Sequence, residues 1–178
     1  MIYIPIILGT SRKERMSEHV ARYVHTELSK IKDIETDIID PRDHITAETI
    51  PAWITDEQTE PWKKIAKRAD AFIIIVPEYN HGYPGELKIL LDSAYKDEYQ
   101  QKSVALCGVS SGILGGARGV ENLKPVLNAL YLNVMTEAVY FGQVKDLFDA
   151  EGTITDVSYG GRLAKLFEQL LGRLASHN

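Results

Sequence analysis

A single cysteine in 178 residues leaves no partner for an internal disulfide, and no Cys/His cluster has the spacing of a zinc site. Long apolar runs are missing too: none approaches the roughly 20 residues that a membrane span needs. Positive charge is scarce. Against 25 Asp and Glu stand 20 Lys and Arg, a net charge of −5 with a pI near 5.5. A phosphate backbone needs a dense Lys/Arg face, so no nucleic-acid partner is expected. The opening Met1-Ile2-Tyr3-Ile4-Pro5 lacks the basic segment and cleavage site of a secretory leader. The expectation is a soluble, cytoplasmic chain with no membrane partner. What is present is ordinary for a globular protein, with 44% hydrophobic and 25% charged residues. The length suits one domain, 1–178, able to bury roughly 70% of its unfolded surface without disulfide or metal.

Short apolar runs alternate with amphipathic stretches. Ile2 to Leu8 is nearly all apolar, as in a strand covered on both faces. Gly9-Thr10-Ser11-Arg12 breaks it, and a helix from about Ser17 carries Val20, Val24, Leu28 and Ile31 on one face. Ile34 to Asp40 reads as a second strand, and an irregular stretch with prolines at 41, 51 and 61 follows. A short helix over Trp62 to Ala69 leads into Ala71 to Val76, the strongest buried-strand signal in the chain. Pro77 to Pro84 is a loop, and Pro84 suits the first turn of a helix carrying Leu87, Leu90, Leu91 and Ala94 inward. Ser103 to Val109 is a fourth strand, followed by a loop with five glycines between Gly108 and Gly119. A helix over Val120 to Leu130, a strand over Val134 to Phe141 and a helix over Tyr159 to Ala175 complete the pattern.

Five strands alternating with about five helices predict an α/β/α three-layer sandwich around a parallel sheet. The favoured topology is the flavodoxin-like order 2-1-3-4-5. There the first and third strands are neighbours whose connections leave in opposite directions, opening a crevice at their carboxyl ends. Three loops border it: Gly9 to Ser17, Pro77 to Gly82, and Gly108 to Gly119.

The first loop opens a helix, so its N–H groups and the helix dipole favour an anion. Thr10, Ser11 and Ser17 add hydroxyls, and Arg12 and Arg15 add planar donor forks. Neither G-x-x-x-x-G-K-[ST] nor G-x-G-x-x-G is present, so a phosphate monoester fits best. The alternative is that Ser17 merely caps the helix while both arginines are solvated. In the second loop Asn80 can donate to and accept from a heterocycle edge, and Tyr79 can lie against a ring face; a turn with a packed tyrosine explains the residues equally well. A lone loop histidine such as His81 is more often solvated than catalytic. Glycines in the third loop allow a flat ligand close approach, or make a flexible connector. Cys107, in an apolar strand, reads as a small core residue, and Trp53 and Trp62 as covers for hydrophobic surface or a subunit contact.

Four stretches of this chain resemble the NADPH-dependent FMN reductase family, flavodoxin-like flavoenzymes that include quinone and azo-dye reductases. They are Leu8 to Arg12, Ala69 to Asn80 with its Pro-Glu-Tyr-Asn, Pro84 to Lys88, and Ser110-Ser111-Gly112 with Gly115 to Arg118. The resemblance covers most of the chain up to about Leu130. It implies FMN as cofactor, with Thr10, Arg12, Arg15 and Ser17 on the phosphate and Ser11 adding backbone or hydroxyl contact. Pro77, Glu78, Tyr79 and Asn80 would line the isoalloxazine, with Ser110, Ser111 and Gly112 closing its other side. The chain departs from the usual family pattern in having Arg15 for a small residue, Ser17 for Asn, and Ile89-Leu90 for Asn-Ala.

By that resemblance the chain is an NAD(P)H-dependent reductase passing electrons through FMN to a small acceptor: a quinone, an azo dye, free flavin or a metal oxyanion. NADPH or NADH would be the donor, and a homodimer or homotetramer the assembly. The hydride chemistry belongs to the cofactor, so no catalytic side chain is required. A flavodoxin-type electron carrier and a flavin-based redox sensor are the rival readings.

Overall fold

Proline decides how the sheet begins. In the computed structural model, which describes residues 1–176, the first apolar run is two strands, β1 (Ile2–Tyr3) and β2 (Ile6–Leu8), on either side of Pro5. Pro5 has no N–H to give a ladder. The Ile4 carbonyl beside it is taken by the Thr36 hydroxyl at 2.7 Å. The second run divides at the same level into β3 (Ile34–Glu35) and β4 (Ile38–Ile39). Further along come β5 (Ala71–Pro77), β6 (Ser103–Val109) and β7 (Asn133–Phe141). The expected single sheet of five strands in order 2-1-3-4-5 therefore differs from what is observed. Among the described residues, seven parallel strands form a small β1-β3 ladder and a five-stranded sheet ordered β4-β2-β5-β6-β7.

The helices are α1 (Ser17–Leu28), α2 (Glu60–Arg68), α3 (Gly85–Asp92), α4 (Lys96–Tyr99), α5 (Ala117–Ala129) and α6 (Ser158–Ala175). The short α4 was not anticipated from the sequence. At its start the Glu98 carboxylate accepts from the Tyr95 N–H at 3.0 Å, and the Glu98 N–H donates to the Tyr95 carbonyl at 3.2 Å. Side chains alternate across the central strands. Ile6, Leu8, Ile73, Ile75 and Cys107 pack with α1 and α6, while Ile7, Phe72, Ile74 and Leu106 pack with α2, α3 and α5. Every residue of β5 and β6 is buried, which is why these two strands read as unbroken apolar runs. Among the described residues no helix is long and apolar enough to cross a membrane.

Candidate functional site

Parallel pairing puts the carboxyl ends of β2, β5 and β6 side by side. The three loops that leave them therefore meet at one edge of the sheet. Gly9 makes the closest approach: its N–H donates to the Ile75 carbonyl at 2.9 Å, and a Cβ there would lie 2.3 Å from that oxygen. Only glycine lets the first loop turn so near β5.

That loop is organised around Thr10, which is fully buried. Its hydroxyl oxygen accepts from the Arg12 N–H at 3.2 Å and from the Tyr79 hydroxyl at 3.3 Å. The Arg12 guanidinium is exposed and stands 5.3 Å from the centre of the Tyr79 ring, a cation–π pair that joins the first loop to the second. Arg15 is drawn beneath the first loop. Its side chain is 2% exposed, donates to the Thr10 carbonyl at 2.5 Å and pairs with both carboxylate oxygens of Asp40, with Glu18 3.5 Å from Nε. Burial would raise the Asp40 pKa, but hydrogen bonds from Arg42 and Arg15 outweigh it and hold the carboxyl well below its ordinary range. A guanidinium so engaged shapes the loop from beneath. Ser17 opens α1, and its buried hydroxyl has no hydrogen-bond partner among the described residues. The backbone N–H groups of Lys13, Glu14, Met16 and Ser17 likewise find no acceptor among those residues.

The second loop is a tight turn closed by reciprocal bonds between Tyr79 and Gly82 at 2.9 and 3.0 Å. Its two central residues, Asn80 and His81, have φ of 49° and 68° without being glycine. Such left-handed conformations cost about 1–2 kcal/mol each and need support. Asn122 of α5 supplies it by donating to the His81 carbonyl at 2.8 Å. Both residues present exposed side chains at the turn's tip. Pro77 is buried as the last residue of β5. The Glu78 carboxylate is turned toward α5. It accepts from Arg118 Nε at 2.8 Å and from the Arg118 N–H at 3.1 Å, stapling the second loop to the third.

In the third loop the Ser110 N–H donates to Phe141 at 3.2 Å and its hydroxyl to the Gly112 carbonyl at 3.1 Å. Ser111 and Gly112 are exposed at the mouth. Gly116 has φ of 87°, and a Cβ would fall 2.4 Å from the Val109 nitrogen, so the loop folds tightly onto β6. Sequence reasoning passed over Ile113 and Leu114, which stand 82% and 51% exposed. An apolar pair within a glycine-rich loop was the available signal. It also passed over Glu86 as a member of the site, whose carboxylate reaches the Ser11 hydroxyl at 2.9 Å.

A flavin mononucleotide fits the donors on display. Its phosphate suits an orphaned buried hydroxyl and a run of free N–H groups at the start of a long helix, with exposed Arg12 beside them. Its flat ring suits the junction between the tight Tyr79–Gly82 turn and the glycine-rich third loop.

Known proteins are similar to this chain in sequence and in fold. The family described as NADPH-dependent FMN reductase matches residues 2–146. An NAD(P)H-dependent FMN reductase of Saccharomyces cerevisiae is 28% identical over 149 residues, covering 74% of this chain and 76% of that protein. A quinone reductase of Pseudomonas putida is 29% identical over 166 residues, covering 86% and 84%. Among solved structures, the flavoenzyme NAD(P)H:(acceptor) oxidoreductase of Paracoccus denitrificans superposes with a TM-score of 0.82 at 22% identity, over 99% of each chain. A Pseudomonas aeruginosa flavodoxin superposes with a TM-score of 0.59 at 15% identity, over 98% and 99%. These likenesses identify the fold as flavodoxin-like. The family match runs through all three loops and most of the sheet, and the chain belongs to the NADPH-dependent FMN reductase family.

Proposed function

We propose that this chain is an NAD(P)H-dependent reductase that holds FMN at the β2/β5/β6 crevice and reduces a small acceptor there. The observation that carries the site is the buried Ser17 hydroxyl at the start of α1, which has no partner among the described residues. Taken as interrupted strands, β1 with β2 and β3 with β4 give the doubly wound order 2-1-3-4-5, whose switch point falls at this crevice. In this reading Thr10, Ser11, Arg12 and Ser17 hold the phosphate, and Arg15 fixes the loop that presents them. Pro77, Glu78, Tyr79 and Asn80 lie along the isoalloxazine, Glu78 through its backbone, while Ser110, Ser111 and Gly112 close the other side.

Bound there, FMN supplies hydride acceptance from NAD(P)H and electron delivery to the acceptor. The chain's own task is placement. Arg12 neutralises phosphate charge, Tyr79 braces Arg12, and the Glu78–Arg118 staple keeps the second and third loops at a fixed separation. The Asn80 side chain and the exposed amides of Ser111 and Gly112 offer donors to charge at a heterocycle edge. Ile113 and Leu114 give the mouth an apolar rim that suits a quinone or an aromatic azo compound. A single domain over 1–178, a cytoplasmic location and a homodimer or homotetramer belong to the same reading.

In this reading Tyr79 and the third loop bound a single site that NAD(P)H and acceptor share. NAD(P)H and acceptor should then occupy it in turn. Initial rates with NADPH and a quinone are expected to give parallel double-reciprocal lines, with high acceptor competing against the nicotinamide. Intersecting lines would mean that both bind together and would contradict a shared crevice. A panel of quinone, azo dye, ferricyanide, chromate and free flavin with both nicotinamides ranks the acceptors.

A further inference from the structure

The first loop already holds an anion, and it is one of the chain's own. The Glu86 carboxylate, in the first turn of α3, accepts from the Ser11 hydroxyl at 2.9 Å and the Thr10 hydroxyl at 3.4 Å, both on Oε1. Burial pushes its pKa up, but bonds from its own N–H, from the hydroxyl and N–H of Ser11 and from the Thr10 hydroxyl outweigh this and leave it below the ordinary value. No cation among the described residues pairs with it; Lys88, two residues on, is bound to Asp92. A hydroxyl has one proton to give. The Thr10 oxygen also accepts from Arg12 and Tyr79, which leaves its one proton directed at Glu86. The two hydroxyls nearest the strand end are thus committed to a carboxylate, at the place where a phosphate would need them.

Resting on the flavin reading above, we propose that Glu86 competes with the FMN phosphate for the Thr10 and Ser11 hydroxyls and so sets how tightly the cofactor is held. The phosphate either displaces the carboxylate or binds beside it against like-charge repulsion. Each route lowers affinity for the phosphate and leaves the ring contacts alone. The loop is thereby tuned for a cofactor that exchanges with the pool, and Glu86 is a specificity-determining residue for the phosphate end.

The test is an equilibrium titration of apo-protein with FMN and with riboflavin, followed by flavin fluorescence. Glu86→Gln keeps an acceptor oxygen for Ser11 and removes the charge. It should bind FMN about tenfold more tightly than the natural chain, with riboflavin changed less than about twofold. Glu86→Ala, which frees both hydroxyls entirely, should move in the same direction and guards against an effect peculiar to glutamine. Inorganic phosphate should compete with FMN more effectively in either variant. Unchanged or weaker FMN binding in both would overturn the proposal and make Glu86 a support of the loop. Equal tightening of FMN and riboflavin would also overturn it, because the effect would not lie at the phosphate. Failure of the natural chain to bind either flavin would overturn the flavin reading itself, and this inference with it.

Discussion

Arg12→Ala is expected to weaken FMN binding by roughly 10- to 150-fold, the equivalent of about 1.5–3 kcal/mol for a charge-assisted hydrogen bond. Riboflavin, which has no phosphate, should be nearly indifferent to the change. The fold should be too, because the Arg12 guanidinium is exposed and its recorded contact is the Tyr79 ring. Arg15→Ala should behave in the opposite way. It strips a buried partner from Asp40 and a donor from the Thr10 carbonyl. Asp40 keeps Arg42, so the loss is expected near 1–3 kcal/mol of stability rather than the full cost of an orphaned buried charge. Both flavins should then weaken together. The pH dependence has a definite sign. The Asp40 pKa is depressed in the folded chain, so its contribution is present above the unfolded carboxylate value and fades as pH falls through and below that value. Arg15→Ala should remove part of that acid sensitivity. Titrations paired with thermal melts across pH separate the two arginines, and equal loss of FMN and riboflavin in Arg12→Ala would defeat its assignment.

Trp62→Ala should be the most destabilising single change considered, by about 3–5 kcal/mol. The indole is fully buried, its Nε1 donates to the Tyr99 hydroxyl at 3.2 Å, and its ring centre lies 6.2 Å from Phe72 and 6.4 Å from Tyr99. That cluster ties α2 and α4 to β5 on one face of the sheet. For a domain of this size the melting temperature should fall by roughly 6–20 °C. Trp53, 86% exposed, is the internal comparison. Its replacement by Ala should change stability by less than about 0.5 kcal/mol in the monomer. Calorimetry on both variants checks the pair. A small effect at Trp62 would mean that the α2 face can collapse onto the gap.

The two tryptophans also show what a sequence can and cannot convey. Trp53 falls in the irregular stretch and Trp62 at the start of the short helix, yet both read equally as covers for hydrophobic surface or a subunit contact; burial is decided by which one reaches the α2 face of the sheet. β5 and β6 were legible because strands covered on both sides are written as unbroken apolar runs, and α1 and α6 because their apolar stripes repeat at helical spacing. The division of the first two strands was less visible. Pro5 was in plain sight, but the Thr36 hydroxyl that takes the Ile4 carbonyl is a contact across 32 residues. The three loops were found by residue type, yet type alone could not tell Arg12 from Arg15. One is exposed over Tyr79 and the other is drawn under the loop by Asp40, a distinction made by a residue 25 positions away. Glu78 and Glu86 were hidden for a related reason: each carboxylate works on a loop distant in sequence, Glu78 on α5 and Glu86 on the hydroxyls of the first loop.

The central claim is that the β2/β5/β6 crevice takes a flavin mononucleotide by its phosphate and its ring together. Titration of the apo-protein with FMN, riboflavin and FAD under one set of conditions tests it most directly. FMN is expected to form a yellow complex and to raise the melting temperature with its concentration by mass action, while riboflavin binds more weakly and FAD more poorly, because its adenylate must pass beyond the loop of Thr10 to Ser17. No FMN binding, or a clear preference for FAD, would contradict it.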